Sequence, residues 1–304
     1  MATTVTVSSN YNGIGAGKYI HQSFKEADTF VKGLITEMPF ISNGKASLKL
    51  LGGTNGSKDF TCDFVPAGSV VLSEKLLEPK KLEIEMQICK EDFRHTWDSD
   101  DMGPSAWNNG IPKDVQEGLI SRIMDQLQAD TDYNIWNGTG TTSGQFDGLV
   151  PQLELDADVI DINAVSAITA ANVVVELNKV VDAIPQAIYM KPDLVLVVSS
   201  DIYRAYLASQ TAAGNNFVFQ NQNPDIAYFN GIKIVMVGGL APRTAIAYRT
   251  SNFVFGSALK ADYNRLDILD MTPIDLSDNI RVRMVYSGDT NFYYGGEVVL
   301  YNPA

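Results

Sequence analysis

The sequence predicts an α+β protein with three parts: an extended β-hairpin loop, a domain organised by one long helix, and a separate α/β lobe. Three observations carry that prediction. Residues 82–88 alternate apolar and polar without a break, residues 112–136 repeat their apolar residues at helical spacing, and helical and strand patterns alternate from 161 to 250. A period of two is that of a half-buried strand, and recurrence at three- and four-residue steps is that of a helix burying one face. The 304 residues, 45% hydrophobic and 19% charged, can bury a sizeable core and are not a disordered composition. At roughly 150 residues per domain the length suits about two domains.

Residues 1–17 are polar and rich in Ser, Thr, Asn and Gly, too poor in apolar matter to order themselves, and read as an arm. From Lys18 to Thr36 an apolar stripe (Ile20, Phe24, Ala27, Val31, Leu34) predicts a short helix ending near Pro39. Between Phe40 and Pro79 the turn signals Asn43-Gly44, Gly52-Gly53 and Asn55-Gly56 separate strand-like stretches such as Ser47 to Leu51 and Phe60 to Val65. With few large core residues, this region is expected to leave the globule as a two-stranded ribbon. Such a ribbon is marginal alone in water, so it implies a partner surface.

In Leu82 to Ile88 the apolar residues 82, 84, 86 and 88 alternate with Glu83, Glu85 and Gln87, the clearest strand in the chain. An irregular polar patch, Trp97 to Gly110, follows. Pro112 suits a first helical position, and Asp114 and Glu117 favour the positive helix end. Val115, Leu119, Ile120, Ile123, Met124 and Leu127 form the buried stripe, and Asn137-Gly138-Thr139-Gly140 stops the helix. At about 1.5 Å per residue the rod approaches ~40 Å. Thr169 is expected to cap a helix through Ile184, Leu194 to Val198 to form a buried strand, and Ser199 and Ser200 to cap a helix through Ser209. A loop is expected at Gly214–Asp225, and strands at 232–237, 245–249, 253–255, 279–286 and 296–301.

The charge excludes several functions. Thirty-six acidic residues against 23 basic ones leave −13, and no basic cluster exceeds the pair Lys80-Lys81. Such a surface repels phosphate and does not suit a nucleic-acid reader. Cys62 and Cys89, with His21 and His95, are too few for a disulfide scaffold or metal cluster and fit a reducing compartment. The longest apolar run is Leu194 to Val198, far short of a membrane span, and the N-terminus lacks signal-peptide character, so secretion by that route is not expected. Gly13-x-Gly15-x-Gly17-Lys18 fails the phosphate-loop pattern because Asn12 and Tyr19 stand where Gly and Ser/Thr belong. Asp98-Ser-Asp100-Asp101 opens like a calcium loop, but Met102 and Asn109 occupy ligand positions, leaving a solvated acidic turn. No nucleophile elbow or His-Glu-x-x-His motif occurs, and the glycosylation-like Asn55-Gly-Ser57 and Asn137-Gly-Thr139 read as turns. No catalytic, cofactor-binding or metal-ligating residue is therefore predicted, and no enzyme activity.

Taken in order, the parts resemble a known family. Asn252-Phe-Val-Phe-Gly-Ser-Ala-Leu-Lys260 is similar to the Asn-Leu-Val-Phe-Gly-Thr strand of tailed-phage major capsid proteins, and Phe229 to Leu240 to the strand pair ahead of it. Ile135-Trp-Asn-Gly-Thr139 with Phe146-Asp-Gly-Leu149, and the closing Ile280 to Tyr286, match further stretches of that family in sequence order. The resemblance covers essentially the whole chain and implies the Hong Kong 97 capsid fold. It implies an N-terminal arm and short helix at 1–36, an extended loop at 37–80 lying across a neighbouring subunit, and a peripheral domain at 81–160 with its spine helix at 112–136. An axial domain would occupy 161–250, and returning peripheral strands 251–304.

The implied function is a major capsid protein that self-assembles into pentamers and hexamers of an icosahedral head enclosing double-stranded DNA. Its location would be the virion, assembled in the host cytoplasm without a membrane. Implied partners are copies of itself, scaffold, portal and decoration proteins, and packaged DNA contacted without sequence preference. Many relatives carry a helical scaffolding segment before the mature start; its lack here implies a separate scaffold or an already mature sequence. Some relatives join a loop Lys to a neighbour's Asn. Lys45, Lys49 and Lys58 lie on the loop and Asn264, Asn279 and Asn291 near the C-terminus, and spacing singles out no pair. The strands at 82–88 and 280–286 are expected to share a sheet, letting Glu83 and Glu85 face Arg281 and Arg283; otherwise each row faces water. Other readings are the shell of an encapsulin-type nanocompartment, an acidic hydrolase and a carbohydrate-binding protein.

Overall fold

A computed structural model describes residues 28–38, 41, 44–54, 56–93, 113–212, 227–257 and 266–303. The predicted arm, residues 18–27 of the first helix, the acidic turn at 98–109, the loop at 214–225 and Asn264 lie outside the described residues. In chain order the first elements are α1 (Asp28–Val31), β1 (Thr36–Met38), β2 (Ala46–Thr54), β3 (Ser69–Leu77), β4 (Lys80–Cys89) and α2 (Lys113–Asn137). There follow α3 (Leu149–Leu155), β5 (Ile160–Asn163), α4 (Val173–Asp182), β6 (Leu194–Val198), α5 (Ser200–Ala212), β7 (Ala227–Phe229) and β8 (Ile232–Met236). The last are β9 (Ala245–Arg249), β10 (Phe253–Gly256), β11 (Leu266–Asp270), α6 (Thr272–Asp275), β12 (Asn279–Phe292) and β13 (Val299–Asn302).

The chain divides into two compact units, one of Met1–Glu26, Lys81–Thr131 and Lys260–Ser287, the other of Ala27–Lys80, Asp132–Leu259 and Gly288–Ala304. In the smaller unit β12 pairs with β4 on one side and antiparallel with β11 on the other, from Leu266↔Met284 to Asp270↔Ile280. The alternation of β4 turns Ile84 and Met86 inward, where they meet Ile123 of α2, Ile280, Val282 and Ile268. Lys90, just beyond β4, is fully buried, and its ammonium lies 2.7 Å from the Asp270 carboxylate and donates to Thr272 Oγ1 at 2.7 Å. A buried ammonium is tolerable only with such partners.

In the larger unit six strands lie in the order β5-β13-β9-β6-β8-β7. β6 runs parallel to β8 and antiparallel to β9, and its five residues, Leu-Val-Leu-Val-Val, are all buried. The unbroken apolar run is that of a strand covered on both faces. Leu194, Leu196 and Val198 face α4 and α5 through Val173, Leu177, Val180, Ile202 and Tyr206. On the other face of β9, Tyr248 stacks on Phe253 at 3.9 Å, packs edge-on to Trp136, and donates its hydroxyl to Leu34 O at 2.9 Å. β7 and β8 join through Asn230 (φ 47°) and Gly231 (φ 81°), the positive-φ pair a tight hairpin turn requires. Beside this lobe β10 pairs with β1 in parallel and with residues 289–292 of β12 antiparallel.

Several expectations are corrected. The first helix does not run to Thr36: α1 ends at Val31, Gly33 turns the chain at φ 63°, and Thr36 already pairs with Val254. Val31, assigned to its buried stripe, is 87% exposed. Phe60 to Val65 forms no strand. Thr169 does not cap α4, which starts at Val173; Asn172 Oδ1 accepts from Thr169 N and closes a turn ahead of it. β12 continues six residues past Tyr286 because Gly256 to Phe253 of β10 pair with its extension. β13, expected among the peripheral strands, lies in the six-stranded sheet between β5 and β9, with Val299, Leu300 and Tyr301 buried.

Candidate functional site

β2 and β3 form a two-stranded antiparallel hairpin, in register from Ala46↔Leu77 to Thr54↔Ser69. Nine residues at about 3.4 Å each give a ribbon of ~30 Å. Its two ends differ. At the root, Leu48 and Leu77 are buried against Ile41 and Val254. Further out, every residue from Leu51 to Thr54 and from Ser69 to Glu74 is exposed. Opposite residues of an antiparallel pair share a face, so Leu76, Leu51, Leu72 and Val70 line one side of the ribbon and are half or more exposed. The tip adds Phe60 at 93% and Phe64 at 95% exposure. Isolated exposed apolar residues are ordinary, but Leu51, Leu72 and Val70 group on one face beyond the Lys49–Glu74 pair, and with two exposed phenyl rings at the tip they mark an interaction surface.

Polar contacts fix the root on its own unit. Asn291 and Asp289, two residues apart and so on one face of β12, take the hairpin backbone between them: Asn291 Nδ2 donates to Leu76 O at 2.7 Å, and Asp289 Oδ2 accepts from Glu78 N at 2.7 Å. Lys75 pairs with Asp156 at 3.0 Å while its ammonium sits 3.5 Å from the centre of the Phe292 ring. Burial tends to raise Asp156, but hydrogen bonds from Asp158 N and Lys75, with the lysine charge, hold it below the ordinary carboxylate value. Tyr294 Oη both accepts from Leu51 N and donates to Leu51 O. A second anchor holds α1: Asp132 Oδ1 accepts from Thr29 N and Oγ1, Asp132 Oδ2 accepts from Gly239 N at 2.9 Å, and Trp136 Nε1 donates to Thr29 Oγ1 at 2.8 Å. Burial still pushes Asp132 above the ordinary carboxylate value against those donors.

The sequence-predicted residues fall into three groups. Lys45 pairs with Glu78 at 2.6 Å at the root, Lys49 stands opposite Glu74 across the ribbon, and Lys58 at the tip donates to Val65 O at 2.6 Å. Asn279 opens β12, and Asn291 is engaged with Leu76. Arg283 lies 2.6 Å from Glu83 and 3.3 Å from Glu85. Arg281 does not face either glutamate; it donates to Gln87 Oε1 at 3.2 Å and reaches Asp275 at 4.0 Å, because Gln87 is the β4 side chain beside it. Cys62 is exposed in the tip and Cys89 partly buried, both as free thiols. Among the described residues no group of three metal-ligating side chains gathers, and no helix is long and apolar enough to cross a membrane. Sequence reasoning missed Asp289, and it named Asn291 only as a cross-link candidate, not as a partner of the Leu76 carbonyl. Their i, i+2 spacing was visible, but only once β12 extends past Tyr286 does it place them on one face.

No family model matches the chain, and no curated protein matches it. Solved structures match along nearly its whole length. The capsid of Myoviridae Phage XM1 is 12% identical, with 99% of each chain covered and a TM-score of 0.61. The capsid of Cyanophage P-SCSP1u is 12% identical over 96% of this chain and 92% of that one, with a TM-score of 0.61. The capsid of a native GTA particle is 10% identical over 98% and 100%, with a TM-score of 0.60. The chain has the fold of tailed-phage major capsid proteins.

Proposed function

We propose that this chain is a major capsid protein of the Hong Kong 97 type, forming pentamers and hexamers of an icosahedral shell around double-stranded DNA. The ribbon with its exposed apolar side chains and phenyl tip carries this reading, since among the described residues nothing covers them and they would gain burial against another molecule. In that role β2 and β3 are the loop laid over a neighbouring subunit. The six-stranded lobe with α4 and α5 is the axial domain; α2, β4, β11 and the start of β12 are peripheral. Association then rests on many modest contacts and requires no catalysis, cofactor or metal. A net charge of −13 suits a container whose wall must not grip the DNA it holds. The natural location is the virion.

Electron microscopy and sedimentation of the purified chain, with and without a Phe60→Ser/Phe64→Ser change, test this. Shells or capsomers are expected from the parent and small soluble species from the double variant. A parent that stays a compact monomer at every concentration overturns the reading.

A further inference from the structure

We propose that the outer edge of β3 is a pairing edge for a second copy of this chain. Residues 70–74 of two copies run antiparallel about Leu72 and join two hairpins into one four-stranded sheet. The direction of the backbone groups follows from contacts already described. Tyr294 Oη engages both the N–H and the C=O of Leu51, so the pair Leu51↔Leu72 exchanges no hydrogen bonds and its backbone groups point out of the hairpin. The even-numbered positions of β3 therefore face outward, in agreement with Leu76 O, which accepts from Asn291 Nδ2. Tyr294 thus closes the β2 edge at Leu51, and Asn291 closes the β3 edge at Leu76. Beyond Leu76 the β3 edge is open: among the described residues no hydrogen bond meets the outward N–H or C=O of Val70, Leu72 or Glu74. Exposed edges are ordinarily guarded by lysine, proline or a bulge. Ser69-Val70-Val71-Leu72-Ser73 contains neither residue, and its register with β2 is unbroken.

The open stretch is symmetric about Leu72 and complements itself, which selects a second copy as its occupant. A two-fold axis at Leu72 sets that residue opposite the partner's Leu72, and Val70 opposite the partner's Glu74. All of these face outward, so each pair exchanges both of its N–H···O bonds. On the face that carries Leu51, Leu51 and Leu72 of both copies then form one row of leucines across the sheet. Each Glu74 keeps its own Lys49 opposite it. The two Glu74 side chains lie about 14 Å apart along the strands, beyond the screening length of ~8 Å at physiological salt. Other registers fit less well. An axis one residue nearer the root calls on the Leu76 carbonyl that Asn291 already holds, and it draws the two Glu74 side chains to about 7 Å. An axis one residue nearer the tip carries Glu74 past Ser69, where β3 begins. The pairing follows from the hairpin alone and stands whether or not the chain builds a shell.

Cysteine cross-linking of the full chain in a Cys62→Ser background tests it, with links located by mass spectrometry. Under mild oxidation Leu72→Cys is expected to give a disulfide-linked dimer on a non-reducing gel, because Cα atoms in such a pair stand about 5.5 Å apart, within disulfide reach. Val70→Cys alone and Glu74→Cys alone should stay monomeric on that gel, while a mixture of the two should give the linked heterodimer. Loss of the Leu72→Cys dimer overturns the proposal, as does a Val70→Cys homodimer of equal yield or a link from position 72 to any other site. Should Leu72→Cys fail to fold, the absence of the mixed heterodimer overturns it instead. Shells seen by microscopy without the link at position 72 would sink this pairing and leave the shell reading intact, and the link without shells would do the reverse.

Discussion

The six-stranded lobe and the hairpin use the same kind of residue to opposite ends. β6 spends Leu194 to Val198 inside the chain, with strands on both edges and side chains covered on both faces. β2 and β3 carry Leu51, Val70, Val71 and Leu72 and cover none of them. Hydrophobic burial stabilises whichever contact removes the surface from water, and it does not distinguish one chain from two. The lobe completes itself. The hairpin has only its root completed, by Leu48 and Leu77, and leaves the rest for another molecule.

That contrast can be broken by substitution, with effects on the stability of the unassembled chain ranked in advance. Leu196→Ala, at a fully buried centre of the lobe, should cost about 2–5 kcal/mol by chemical denaturation. Thr29→Val strips one partner from both Asp132 and Trp136 Nε1 and should cost about 1–3 kcal/mol, with α1 losing exchange protection first. Phe60→Ser/Phe64→Ser should stay within about 0.5 kcal/mol per site, because neither ring touches enough of its own chain to matter. On assembly the order inverts, the tip variant losing the most. A tip variant that unfolds as readily as Leu196→Ala would show that the hairpin belongs to its own core.

How much of this was legible in the sequence depends on where the determining contacts lie. β4, α2 and β6 were readable because their periodicity is local: Leu82 to Ile88, the helical stripe, and an unbroken apolar run each declare their own burial. β1, β5, β7 and β11 were not, since strands of three to five residues are fixed by the neighbour they pair with, as Thr36 to Met38 are by Val254 to Gly256. The ribbon was legible as something that leaves the globule, but not its registration or its bare tip. Its root was invisible: Leu76 and Glu78 meet Asn291 and Asp289 across more than 200 positions. Thr29 and Asp132 likewise meet over 103 positions, with no spacing rule to announce them. The exchange of Arg281's expected partner for Gln87 has a plainer cause, a choice among neighbours on one face that alternation alone does not rank.

Of the five points where the chain passes between the two units, three fall inside continuous elements: between Lys80 and Lys81 in β4, Thr131 and Asp132 in α2, and Ser287 and Gly288 in β12. A protease cutting at any of these points would sever a hydrogen-bonded ladder or helix rather than a linker. Neither unit is therefore a cassette that a truncation or graft could lift out whole, and the two are expected to travel as one heritable piece.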